Sequence, residues 1–80
     1  MKSLRSPEHV MFRSLLVAAR KKAGFTQVML AKRLRRSQSF VSKYETGERR
    51  LDVIELIFIS HILEFDAVGM VKEIATQYKP

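Results

Sequence analysis

Between Thr26 and Arg49 the chain reads TQVMLAKRLRRSQSFVSKYETGER, which allows two short helices, a sharp turn between them and little else. Thr26 suits the N-cap of the first helix and Ser37 that of the second, because a short hydroxyl side chain satisfies a free backbone N–H in the first turn. Leu30, Ala31 and Leu34 share one face of the first helix at helical spacing, and Val41 points inward from the second. Ala31 is small enough to let the two helices approach closely. The second helix is expected to end near Gly47.

The remaining punctuation predicts three more helices. Ser6-Pro7-Glu8 opens the first: a cap, a proline suited to the first helical position, and an acid that complements the dipole. Its apolar face is Phe12, Leu15, Leu16 and Ala19, which leaves Arg13 and Arg20-Lys21-Lys22 for solvent or phosphate, and Gly24 ends it. Asp52 with Glu55 three residues later resembles a capping box opening the fourth helix. Asp66 caps the fifth, which runs towards Tyr78. No segment alternates at period two over strand length, so the fold class is all-α with five helices in one domain spanning residues 1–80.

The fourth helix, VIELIFISHIL, is apolar at eight of its eleven positions, nearly all the way round. Such a helix has to be buried on more than one side. Five short helices cannot enclose it alone, so residues 52–78 are expected to form a homodimer interface through Phe58, Ile62, Val71 and Ile74. A different protein partner is the alternative cover.

Charge is divided unevenly. Residues 1–50 carry thirteen Lys/Arg against three Glu, whereas residues 51–80 carry two Lys against five Asp/Glu. The basic half coincides with the helix pair and suits a polyanion. The chain has no cysteine, which excludes disulfides, thiolate zinc sites and cysteine nucleophiles. His9 and His61 have no metal-ligand spacing, and Met1, Met11, Met29 and Met70 form no stripe. There is no nucleophile–base pair, glycine-rich phosphate loop or paired carboxylate set, so no catalytic site, metal or cofactor is expected. Glu55 and His61 interrupt the longest apolar run, which argues against a membrane span and for a cytoplasmic protein. Eighty residues leave no space for a sensor domain.

The second helix of the pair begins with short polar residues: Gln38, Ser39, Ser42 and Lys43. Glutamine can pair bidentately with adenine and lysine can donate to guanine, so this is a face suited to base edges in double-stranded DNA. Gln27, Arg49 and Arg50 are available for phosphate. From Leu15 to Leu56 the chain resembles the Cro/phage-repressor, or XRE, class of helix-turn-helix domains. The resemblance is carried by Arg20, Gly24, Thr26-Gln27, Leu30-Ala31, Leu34, Ser37-Gln38, Val41-Ser42, Glu45, Gly47, Arg50 and Leu56 in unbroken spacing. It implies a compact five-helix, lambda-repressor-like domain with its motif over about residues 27–46. It further implies a sequence-specific transcriptional regulator, usually a homodimer on an inverted repeat.

The same resemblance makes Gln38, Ser39 and Lys43 the base contacts, with Phe40 meeting a thymine methyl or sugar-phosphate wall; packing of Phe40 into the core is the alternative. It makes Gln27, Ser42 and Arg49 phosphate contacts; Thr26 and Ser37 join them as residues at helix N-termini, which suit phosphate, and Arg36 as a cation of the turn. Tyr44 and Glu45 are expected to be structural. Where the family usually has glycine in the turn, this chain has Arg35, a strained residue if it is left-handed. The competing function is an antitoxin-type interaction module that also binds its own promoter.

Overall fold

Each helix begins where a short polar side chain closes its first turn. In the computed structural model, which describes residues 3–79 and so excludes Met1, Ser6 accepts from the His9 N–H and opens α1 (Pro7–Lys22). Thr26 accepts from Met29 and opens α2 (Gln27–Leu34). Ser37 accepts from Phe40 and opens α3 (Gln38–Thr46). Asp52 and Glu55 complete a reciprocal capping box at α4 (Val53–Leu63). Asp66 accepts from Gly69 and opens α5 (Ala67–Gln77). All five expected caps are therefore in use, and the described residues contain only helices and their connections.

The ends of α1 to α4 are set by left-handed residues, whereas α5 (Ala67–Gln77) ends at the extended Tyr78. Gly24 and Gly47 have φ of 78° and 86°, where glycine meets no Cβ penalty. A Cβ at Gly47 would lie 2.8 Å from the Arg13 guanidinium carbon, the far end of a side chain that can move aside, so it is the positive φ that calls for glycine there. Arg35 does take the left-handed conformation anticipated for the turn, with φ 57° and ψ 41°. Glu64 takes it as well, at φ 57°, a second strained position that the sequence reading did not single out.

The core forms where all the helices meet. Leu16 of α1, Leu30, Ala31 and Leu34 of α2, Phe40, Val41 and Tyr44 of α3, Leu56, Ile59 and Leu63 of α4, and Met70 of α5 are buried together. Burying each large aliphatic side chain contributes about 1.5–3 kcal/mol. Helix α3 packs on α2 and α1, while α4 rests on α2 and α5 on α1. The amino-terminal end of α3 is left at the surface, where Ser37, Gln38 and Ser39 are exposed.

Replacing the left-handed Glu64 with glycine relieves strain of about 1 kcal/mol, partly offset by the added freedom of the unfolded chain. Urea denaturation of Glu64→Gly is expected to show a small gain in stability, and a clear loss would contradict the strain.

Candidate nucleic-acid interface

Arg20 lies one turn beyond Leu16 on the apolar face of α1, and only 9% of the residue is exposed. Its charge is met across the core by Glu45 of α3. Arg20 Nε donates to Glu45 Oε2 at 2.8 Å and NH2 donates to Oε1 at 3.1 Å. NH1 donates to the Phe25 carbonyl at 2.8 Å. The hydrogen bond to Glu45 raises the Arg20 pKa further. Arg20 is thus a structural cation, not one left for solvent or phosphate as the sequence suggested. Arg13 is not free either: it donates to the Leu4 carbonyl. The missed signal was spacing, because Arg20 continues the stripe of Phe12, Leu16 and Ala19.

The ion pair extends to the surface. Gln27 Nε2 donates to Glu45 Oε1 at 2.9 Å, and Gln38 Nε2 donates to Gln27 Oε1 at 3.4 Å. A continuous polar chain therefore runs from Arg20 in the interior to Gln38 at the start of α3. It holds the Gln27 amide at the amino end of α2 and links it, through a longer exposed contact, to the Gln38 amide at the amino end of α3. The first N–H groups and the dipoles of both helices make these ends favourable for anions. The hydroxyls of Thr26 and Ser37 accept the capping bonds and keep their own protons to donate. Gln38, Ser39 and Lys43 are exposed, and Ser42 is half-buried.

Phe40 does not belong to this exposed set. It is 8% exposed and meets Tyr44 edge-on with ring centroids 5.6 Å apart. Its expected role as a base contact is corrected to core packing, because the ring turns towards α4 and not outward. Arg36 and Arg49 both place their guanidinium carbons 4.6 Å from the Phe40 ring centroid. Both bond to Glu55: Arg49 through NH1 at 3.1 Å and NH2 at 2.9 Å, Arg36 through NH2 at 3.3 Å. The Arg49 hydrogen bond holds the Glu55 carboxyl below the usual carboxylate range, and Glu55 in turn raises Arg49. Burial pushes the Tyr44 phenol upward, and its hydroxyl finds no hydrogen-bond partner among the described residues.

Most of the exposed large apolar side chains lie on α4 and α5, with Val10 on α1 and Val28 and Met29 on α2 also exposed. Val53, Ile54, Ile57, Phe58, Val68 and Val71 are all exposed, Ile54 at 74% and Val68 at 78%. Of the four residues expected at an interface, Phe58 and Val71 are about half exposed, whereas Ile62 and Ile74 pack against the core. Val71 and Ile74 line an open groove of about 510 Å³ with Phe12, Leu51, Val53 and Leu56. Phe58 instead borders a small pocket with Leu34, Arg36 and Glu55. Among the described residues no cluster of His, Asp or Glu could hold a metal ion, and no helix is long and apolar enough to cross a membrane.

Residues 16–68 match the family model described as helix-turn-helix. In three dimensions the chain is similar to a solved XRE-family like protein from Pseudomonas syringae pv. tomato str. DC3000, with 40% sequence identity and a TM-score of 0.82, covering 90% of this chain and 88% of that one. Comparison with curated protein sequences finds no significant match.

Substituting Glu45→Gln leaves the Arg20 charge buried without a counter-charge. Losing one partner of a buried pair costs about 3–5 kcal/mol, much more than the roughly 0–1 kcal/mol of an exposed pair. Chemical denaturation is expected to show the larger loss, and a loss below about 1 kcal/mol would place the pair with surface ion pairs.

Proposed function

The chain belongs to the XRE-type helix-turn-helix family of DNA-binding transcription regulators, and we propose that it is a sequence-specific, dimeric repressor or controller in the cytoplasm. The observation that carries this reading is the amino-terminal end of α3, where Gln38, Ser39 and Lys43 are exposed beside the half-buried, hydrogen-bonded Glu45–Gln27 pair. Helix α3 enters the major groove with this end against the base edges. Gln38 pairs with adenine through N6 and N7, Lys43 donates to guanine, and Ser39 bonds to either base. The hydrogen bond from Gln38 to Gln27 restricts the amide before DNA arrives, which lowers the entropy lost on binding.

Phosphate contacts come from Gln27, Thr26, Ser37, Ser42, Arg36 and Arg49. They set the register of the domain on the duplex without reading sequence. The apolar surface of α4 and α5 supports a two-fold dimer. Val53, Ile54, Ile57, Phe58, Val68 and Val71 supply its exposed apolar area, and Ile62 and Ile74 back it from the core. A two-fold arrangement places two α3 helices about 34 Å apart, one turn of B-DNA, and so favours an inverted repeat.

Selection of bound duplexes from a random library is expected to enrich such an inverted repeat. On the selected duplex, Gln38→Ala costs about 1–3 kcal/mol and relaxes preference at one base position per half-site. An equal loss on every sequence would remove Gln38 from base reading.

The dimer has its own check in analytical ultracentrifugation. The wild-type chain is expected to sediment as a dimer at micromolar concentration, and Val71→Glu, which puts a carboxylate on that surface, as a folded monomer. A monomeric wild type would assign the apolar surface to a different protein, as in the antitoxin reading.

A further inference from the structure

Arg36 and Arg49 flank α3, one just before its cap and the other just after its end, yet their side chains converge on one place. Both guanidinium groups lie 4.6 Å from the centre of the same Phe40 ring. Two cations held so close repel one another unless an anion joins them. The anion is Glu55, whose Oε2 accepts from both arginines and whose Oε1 accepts from Arg49. Arg49 NH1 also donates to the Arg50 carbonyl, so most of its forward-facing donors are taken. Paired guanidinium groups that fit a carboxylate in this way also fit the oxygens of a phosphodiester. Arg36 and Arg49 nonetheless remain partly open to solvent, with side-chain exposures of 48% and 36%, while Glu55 is at 15%.

We propose that Glu55 is an internal counter-anion occupying a two-arginine phosphate site, and that a DNA backbone phosphate displaces it when the domain binds. The inference rests on the reading that Arg36 and Arg49 meet phosphate, and adds to it a residue of α4 that tunes affinity without touching DNA. Free protein is held in a state where one of the two arginine charges is neutralised by Glu55 and both guanidinium groups stack on Phe40. A phosphate entering the site must compete with a tethered carboxylate. Binding is therefore weaker, and less dependent on salt, than the number of basic residues suggests. The residue also has an ordinary duty, since Glu55 Oε1 accepts the Asp52 N–H in the capping box of α4.

Glu55→Gln separates the two roles, because glutamine serves as well as glutamate in a capping box but carries no charge. Affinity for a mixed-sequence DNA duplex is measured between about 0.05 and 0.2 M salt for the wild type, Glu55→Gln, Arg36→Gln/Arg49→Gln, and the triple variant. Circular dichroism melting first establishes that each is folded. We expect Glu55→Gln to bind about tenfold more tightly and its salt slope to steepen by about one unit, one further phosphate neutralised. The gain should vanish in the triple variant. Unchanged or weaker binding by Glu55→Gln, or a gain that survives without the arginines, overturns the proposal while leaving the phosphate contacts intact. Wild-type affinity in the double arginine variant overturns the phosphate reading itself, and the proposal with it.

Discussion

The ion pair between Arg20 and Glu45 is the interaction on which the placing of the exposed polar start of α3 depends. It crosses from α1 to α3 inside the core, with three hydrogen-bonding nitrogens of Arg20 engaged. Such a pair is not favoured for its net energy, because desolvation of two charges offsets most of their attraction. Its consequence is geometric. An apolar contact tolerates sliding, whereas a bidentate guanidinium–carboxylate pair fixes both distance and orientation. The Glu45 Oε1 that accepts from Arg20 also accepts from Gln27, and the Gln27 oxygen accepts from Gln38. The orientation of α3 and of its first polar side chain thus follow from a charge that never reaches the surface.

Charge and apolar surface divide the molecule into two working parts. The adjoining amino ends of α2 and α3 combine free N–H groups, capping hydroxyls and the exposed Gln38, Ser39 and Lys43. Helices α4 and α5 carry most of the exposed apolar side chains, in the part of the chain where acidic residues outnumber basic ones. The two parts meet at Glu55, which caps α4 and holds Arg36 and Arg49 against Phe40. A single carboxylate therefore links the start of α4 to the flanks of α3.

Much of this was legible in the sequence, for local reasons. Caps at Ser6, Thr26, Ser37, Asp52 and Asp66 are short-range features, and each lies at the start of its helix as expected. The left-handed conformation of Arg35 was raised by the family resemblance, in which glycine usually stands there, and not by a local signal. What the sequence hid were pairings between distant residues. Arg20 read as a surface cation because nothing local shows that Glu45, twenty-five residues on, meets it. Phe40 was undecided because its fate depends on α4, Arg36 and Arg49. Ile62 and Ile74 looked equivalent to Phe58 and Val71 on an all-apolar helix pair, and only packing distinguishes the half-buried from the exposed.

Amide chemical-shift mapping of the protein titrated with a bound duplex tests the central claim most directly. The account predicts that the largest changes fall on residues 26–28 and 37–43, with smaller ones at Arg49 and the side-chain amides of Gln27 and Gln38. Changes centred on the outer surface of α4 and α5, with the start of α3 unaffected, would contradict it.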